Sequence, residues 1–146
     1  MAADVAERLT RYAELAVRVG ANVQPGQIVF VSSQIEHVPL ARAITRQAYA
    51  AGARYVDVSY RDQHVRKAMI ELGPDEALTY EPGWLKTQAE SNVDQAYIAT
   101  TGDPEPDLLS DLDAERVGRA RMKGIVEIYR QQLVDRSSNW TIVAYP

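Results

Sequence analysis

The sequence of 146 residues contains no cysteine. This absence excludes disulfide-linked scaffolds, cysteine nucleophiles and zinc modules built from cysteine ligands. It also suits a reducing compartment, so we expect a cytoplasmic protein. No apolar run approaches the ~20 residues that a membrane-spanning helix needs, so we expect no membrane partner. The N-terminus begins Met1-Ala2-Ala3-Asp4 and turns helical, which is not typical of a signal peptide.

Basic residues are also fewer than acidic ones. Lysine and arginine number 16 against 20 acidic residues, which gives a formal charge of −4 and a pI of about 5.2. Because no basic block stands out, neither nucleic acid nor an anionic membrane is an expected partner. The composition is 46% hydrophobic, which is enough for a buried core in a chain of this length. We therefore expect one domain over residues 1–146.

Strand patterns and helix patterns alternate along the chain. The predicted strands cover residues 28–31, 55–60, 96–99 and 141–144. The first is apolar on both faces, which predicts a central strand, whereas the second alternates between apolar and polar residues and is therefore nearer an edge. The order of elements predicts an α/β fold with an open, mainly parallel sheet of about four strands and helices on both faces.

Local signals mark the ends of the first two helices. Asp4 and Glu7 have the spacing of a capping box at the start of the first helix. Gly20 is expected to end that helix in the left-handed conformation. Pro39 suits the first turn of the second helix, and Gly52 is expected to end it.

The second half of the chain has weaker signals. A short helix is predicted over residues 64–72, and two more short helices are predicted between residues 75 and 92. One long helix is predicted after an N-cap at Asp113, running to Leu133. The last strand passes directly into Tyr145-Pro146, so we expect a further domain to follow.

Several common catalytic motifs are missing. The eight glycines include no dinucleotide-binding fingerprint and no Walker loop. The nucleophile elbow of the α/β-hydrolases is missing too. Phosphate cradles need glycine where the backbone approaches the ligand closely, so these absences exclude the usual nucleotide-binding loops.

A metal site is conceivable around the two histidines. Glu36, His37, Asp62 and His64 follow predicted strand ends, and their side chains suit zinc, manganese or cobalt. The structural alternative is an exposed histidine beside glutamate at the start of a helix. We favour the structural alternative, because catalytic zinc normally has three protein ligands and no close motif supplies them here.

Ligands of open α/β sheets bind beyond the carboxyl ends of the strands. The polar residues at these ends are Ser32, Ser33, Arg61, Asp62, Thr100, Thr101, Gly102 and Asp103. Turn formation and helix capping are the simpler roles for such residues. Trp84, which follows Pro82-Gly83, is a candidate for packing at an interface. The residues alone predict no catalytic, metal-binding or substrate-binding position.

Five segments together resemble the N-terminal domain of a known enzyme family. In order along the chain they are Tyr12 to Gly20, Asn22 to Gln27, Ala48 to Asp62, Gly102-Asp103-Pro104 and Trp140 to Pro146. The chain resembles the thermophilic-type metallo-aminopeptidases, the group that contains aminopeptidases T and S. No single segment is a catalytic signature, but their order and spacing agree over nearly the whole chain.

The resemblance implies a dimeric exopeptidase that removes N-terminal residues from peptides. It implies two divalent metal ions, cobalt, zinc or magnesium, which activate a water and polarise the scissile carbonyl. In that family the metal ligands belong to a C-terminal catalytic domain, so none of them is assigned to a residue of this chain. Catalytic and metal-binding residues are therefore expected to be absent here, and no cofactor is expected in this chain.

We expect the chain to be the N-terminal, non-catalytic part of such an aminopeptidase, inactive by itself and packed on its own catalytic domain. The alternative is a stand-alone α/β module that binds a small ligand near Asp62 and Asp103 and has no catalytic activity. The two hypotheses differ in whether a second domain is needed.

Overall fold

The computed structural model describes residues 2–145, with side chains from Asp4 onward. Its strands form a single sheet in which every pairing is parallel, in the order β2-β1-β3-β4. The bounds are β1 (Ile28–Gln34), β2 (Tyr55–Arg61), β3 (Ala96–Thr101) and β4 (Asn139–Ala144). The predicted open α/β fold is confirmed, with the first predicted strand central and the second at an edge.

The first helix precedes β1 and the others lie between successive strands of the sequence, as the alternating pattern predicts. They are α1 (Ala2–Leu15), α2 (Val38–Ala50), α3 (Gln63–Leu72), α4 (Gly83–Glu90), α5 (Ala114–Arg119) and α6 (Lys123–Asp135). A π-helical turn, Ala16–Gly20, follows α1, and short 3₁₀ helices cover Ile35–His37 and Asp75–Thr79.

The described residues fall into two compact units. The sheet unit contains the chain up to Arg61, the segment Asn92–Gly102 and the residues after Asp135. The crossover unit contains Asp62–Ser91 and Asp103–Asp135, which are the connections from β2 to β3 and from β3 to β4. A single domain over residues 1–146 stays a prediction.

One face of β1 forms the centre of the sheet unit's core. Val29, Val31 and Ser33 alternate along this face and are fully buried or nearly so. Val29 and Val31 belong to a core that includes Leu40 and Ile44 of α2, together with buried residues of α1 and of the turn after it. The i, i+4 spacing of Leu40 and Ile44 places both on one side of their helix, so the sequence pattern directly produces this layer.

Side-chain amides connect the loops at the amino ends of the strands. Gln95 Oε1 accepts a hydrogen bond from the Ile28 amide at 2.7 Å. Gln27 Nε2 donates to the Asp94 carbonyl at 3.1 Å, and Asn139 Nδ2 donates to the Asn22 carbonyl at 3.1 Å. Backbone groups that have no strand partner at this end of the sheet thus form hydrogen bonds with side chains.

The crossover unit has a smaller core and one arginine that joins its segments. Ile70, Leu78 and Ala120 are buried together. Arg116 Nε donates to the Ile70 carbonyl at 2.8 Å, and its Nη2 donates to the Gly73 carbonyl at 2.7 Å. These carbonyls lie at the end of α3, where helical partners run out, so the guanidinium completes the end of that helix.

Two predictions about the first helix are wrong in detail. The helix begins at Ala2, before Asp4, so Asp4 lies in the first turn and pairs with Arg8 at 2.9 Å instead of capping. Gly20 does not take a positive φ; the left-handed residue is Asn22, with φ 49°. A Cβ on Gly20 would lie 2.8 Å from Thr141 Oγ1, so close packing on β4 is what requires glycine there. Gly52 does end α2 with φ 94°, as predicted.

The long helix predicted after Asp113 is two helices. Asp113 caps the first, α5, by accepting a hydrogen bond from the Arg116 amide at 2.9 Å. The chain then leaves the helical conformation at Ala120, which turns into the core of the crossover unit. A carboxylate oxygen of Glu81 accepts a hydrogen bond from the Gly124 amide and so caps the start of α6. Tertiary contacts therefore override a continuous helical pattern.

We predict that Arg116→Lys lowers the free energy of unfolding by about 1–3 kcal/mol. The planar guanidinium of arginine donates to two carbonyls and to Asp75 at once, which the ammonium group of lysine cannot do. Arg119→Lys is the matched control, because Arg119 makes a longer contact with Asp75, at 3.6 Å, and is more exposed than Arg116. Its effect should stay within about 0.5 kcal/mol. Urea denaturation measures both; equal effects would contradict the role given to Arg116.

Candidate functional site

Three buried polar side chains meet at the carboxyl ends of β1 and β3. Ser33 Oγ lies 2.9 Å from Thr100 Oγ1, and His37 Nδ1 lies 3.0 Å from the same hydroxyl. Ser33, His37 and Thr100 are 0%, 2% and 3% exposed. Ser33 and Thr100 come from adjacent positions on the sheet's buried face, and the 3₁₀ turn after β1 brings His37 back over them. We call these three residues the Ser-Thr-His cluster.

The available hydrogens determine which group donates in each hydrogen bond of the cluster. Ser33 Oγ donates to the Gln34 carbonyl at 3.1 Å. A hydroxyl has one hydrogen, so Thr100 must then donate to Ser33, and His37 Nδ1–H must donate to Thr100. This arrangement satisfies both hydroxyls and assigns the Nδ1–H tautomer to His37.

The end of β4 packs against the same histidine. The rings of His37 and Tyr145 are stacked, with centroids 4.5 Å apart and an interplanar angle of 8°. The Tyr145 amide donates to the Thr101 carbonyl at 2.7 Å, which fixes the backbone that carries this ring. Gly102 has φ 132°, a conformation that favours glycine, and a Cβ there would lie 3.5 Å from His37 Nε2. His37 therefore ties the ends of β1, β3 and β4 together.

Burial lowers the pKa of His37, and the charge of neighbouring Glu36 offsets part of that effect. The imidazole is therefore neutral at neutral pH, which agrees with the assigned tautomer. A buried neutral histidine whose Nδ1 contacts Thr100 rather than Ser33 is not a base for a serine nucleophile. The geometry supports a structural cluster and not a catalytic pair.

The four candidate metal ligands belong to two different units. His37 and Glu36 belong to the sheet unit, whereas Asp62 and His64 belong to the crossover unit. His64 Nε2 pairs with Glu105 Oε2 at 2.5 Å, and both side chains are at least half exposed. Among residues 2–145, no three His, Cys, Asp or Glu side chains form a group that could hold a metal ion. The expectation of an exposed histidine at a helix start is wrong for His37, which is buried.

The acidic candidates at the strand ends accept hydrogen bonds from nearby backbone amides. Asp62 Oδ1 accepts from the His64 amide at 2.8 Å at the start of α3. Asp103 Oδ1 accepts from the Glu105 amide at 3.0 Å. These bonds are the turn and capping roles that the sequence favoured, and nothing in them favours the ligand-binding alternative.

The remaining candidates share no site in the structure. Thr101 and Arg61 are exposed at strand ends, and Ser32 is partly buried on the opposite face of β1 from Ser33. Trp84 is 70% exposed on α4. The sequence reasoning missed Tyr145 as a partner of His37, because no local pattern indicates contact between residues so far apart in the chain. No helix in the described part of the chain is both long and apolar enough to cross a membrane.

A family model described as thermophilic metalloprotease (M29) matches residues 5–146. Aminopeptidase 2 of Geobacillus stearothermophilus is 33% identical over 143 residues, which are 96% of this chain and 35% of that protein. Aminopeptidase AmpS of Bacillus subtilis is 36% identical over 141 residues, which are 94% of this chain and 34% of that protein.

A solved structure agrees with the same assignment. Wild-type AmpT from Thermus thermophilus superposes with a TM-score of 0.87 at 33% identity, covering 96% of this chain and 36% of that one. The chain thus spans about a third of the length of the relatives it matches.

We predict that Thr100→Val lowers the free energy of unfolding by about 1–3 kcal/mol, because valine keeps the volume but leaves His37 Nδ1–H without an acceptor. The neighbouring exposed Thr101→Val is the control and should change stability by less than about 0.5 kcal/mol. A thermal or urea melt measures both. Equal stability of Thr100→Val and the unaltered chain would contradict the stabilising role given to these hydrogen bonds.

The lowered pKa of His37 predicts a pH dependence of stability. The unfolded state binds the proton more readily than the folded state, so stability is greatest above the unfolded pKa of about 6.5 and falls as the pH drops below it. His37→Gln should reduce the loss between about pH 7 and pH 5 relative to the unaltered chain. Urea melts across this range provide the measurement, and an unchanged loss in His37→Gln would contradict the assignment.

Proposed function

The chain belongs to the thermophilic metalloprotease family M29, and from this we propose that it is the N-terminal, non-catalytic part of a longer metal-dependent aminopeptidase. The observation that carries the proposal is coverage. The chain aligns over 94–96% of its own length with aminopeptidases, yet accounts for only 34–35% of each. In this proposal the activity of the whole protein depends on residues that this chain does not supply.

The metal ions belong to the other part of the protein in this proposal. The family's description as metalloproteases supports divalent ions in the full-length enzyme, for which we propose cobalt, zinc or magnesium. The residues described here do not fit such a site, because they contain no group of three ligating side chains. We accordingly assign no catalytic or metal-binding role to any residue of this chain.

The role we propose for this part is structural. The sheet and crossover units would pack on the catalytic domain and help to enclose its cavity, so that access is restricted to peptides. We propose in addition that the full-length enzyme is a homodimer in the cytoplasm. The exposed apolar side chains, among them Trp84 and Val126, are available for such packing.

We predict that the 146-residue chain neither hydrolyses leucine p-nitroanilide nor binds two metal ions, whereas the full-length protein releases p-nitroaniline when cobalt is added. Sequencing the gene beyond the Pro146 codon comes first, because it defines the full-length protein. Activity assays and calorimetric cobalt titration on both proteins follow. Cobalt-dependent hydrolysis by the short chain, or a stop codon directly after Pro146, would overturn the proposal.

The stand-alone alternative makes a different prediction for solution behaviour. A chain that lacks its second domain leaves apolar surface exposed and should associate as its concentration rises, whereas a self-sufficient module should stay monomeric. Sedimentation velocity at several concentrations distinguishes the two. A monomer at every concentration would count against the proposed function.

A further inference from the structure

The outer edge of β4 has unpaired backbone groups. The sheet order ends at β4, so no strand among residues 2–145 pairs with this edge. The Asn139 amide donates to the Gln95 carbonyl at 3.1 Å, and the Tyr145 amide donates to the Thr101 carbonyl at 2.7 Å. The backbone amides and carbonyls of the odd-numbered residues of β4 therefore face β3. The amides and carbonyls of Trp140 and Ile142 therefore face outward. We call Trp140–Ile142 the open edge.

Nothing in the sequence of β4 protects this edge. The strand reads Asn-Trp-Thr-Ile-Val-Ala, without a charge or a proline. Trp140 and Ile142 are 45% and 58% exposed. Proteins normally protect an edge strand with charges, proline or a bulge, since an uncharged apolar edge pairs with other strands. The opposite edge strand, β2, carries Asp57 and Arg61.

An apolar groove begins where the open edge ends. The Tyr12 hydroxyl donates to the Ala144 carbonyl at 2.9 Å and so closes the edge at that point. Beside this bond lies a cavity of about 330 Å³, lined by Val5, Arg8, Leu9, Tyr12 and Tyr145. The open edge supplies backbone hydrogen bonds and the groove supplies apolar surface, which are the two requirements for adding an extended segment to a sheet.

We propose that an extended segment of the same polypeptide, from the part of the full-length protein outside this chain, pairs with the open edge as a fifth strand and places an apolar side chain in the groove. This inference rests on the proposed function. The aminopeptidase relatives are about three times as long as this chain, so a segment of the same polypeptide is present wherever the edge is. Tethering also gives it a high effective concentration, which a separate peptide or a second copy lacks.

The test is hydrogen exchange in the full-length protein at single-residue resolution. The Trp140 and Ile142 amides should exchange at least about 100-fold more slowly than in the 146-residue chain. The inward amides of Asn139 and Tyr145 are internal controls and should be protected in both proteins. Fast exchange at the open edge of the full-length protein, with protected inward amides, would overturn the inference.

A proline substitution tests the pairing directly. Ile142→Pro removes an outward donor and leaves the β3–β4 hydrogen bonds intact, since proline is tolerated where an edge amide faces outward. In the full-length protein it should restore fast exchange at the Trp140 amide, whereas the control Ile142→Thr should keep it slow. Continued protection of the Tyr145 amide shows that the sheet has folded in each variant.

Other occupants give other results. Protection that rises with protein concentration would identify a second copy, and protection that appears only when a peptide substrate is added would identify the substrate; either would overturn the inference. An absence of aminopeptidase activity with cobalt, with zinc and with magnesium would instead refute the proposed function. An active enzyme with an unprotected open edge would refute only this inference.

Discussion

The parallel pairing of β1 with β2 and β3 is the constraint on which the rest of the structure depends. Because neighbouring strands run in the same direction, each connection must return from the carboxyl edge of the sheet to its amino edge. The connections after β2 and β3 are therefore long, and together they make up the whole crossover unit. The same pairing brings the ends of all the strands to one edge, where the Ser-Thr-His cluster lies.

The fold was predictable to the extent that it follows from local patterns. The apolar run from Ile28 predicted a central strand, because such a strand is buried on both faces. The alternation after Tyr55 predicted an edge strand, because alternate residues are then exposed. Gly52 and Pro39 marked the ends of α2 for the same reason. The break between α5 and α6 was not predictable, since the carboxylate that caps α6 belongs to Glu81, 43 residues before Gly124.

The candidate site was harder to predict than the fold. Ser33, Thr100 and His37 were all identified as strand-end residues, but their hydrogen bonds to one another depend on which face of each strand is buried. His37 was expected at the surface because Glu36 and the helix start are polar signals, yet the stack with Tyr145 buries it. The metal chemistry of the family could only be inferred from resemblance, because no residue pattern in this chain indicates it.

Each unit is made of segments that are separated from one another in the sequence, and this has a consequence for synthesis on the ribosome. The sheet unit contains three distant segments, so β3 lacks its outer neighbour until β4 has been translated. Translation from Thr101 to Ala144 takes about 2–9 s at typical rates. During that interval β3, whose residues Ala96 to Thr100 are almost wholly apolar or buried, is itself an unprotected edge. During synthesis the nascent chain therefore passes through a stage in which β3 is an edge to which other strands can add.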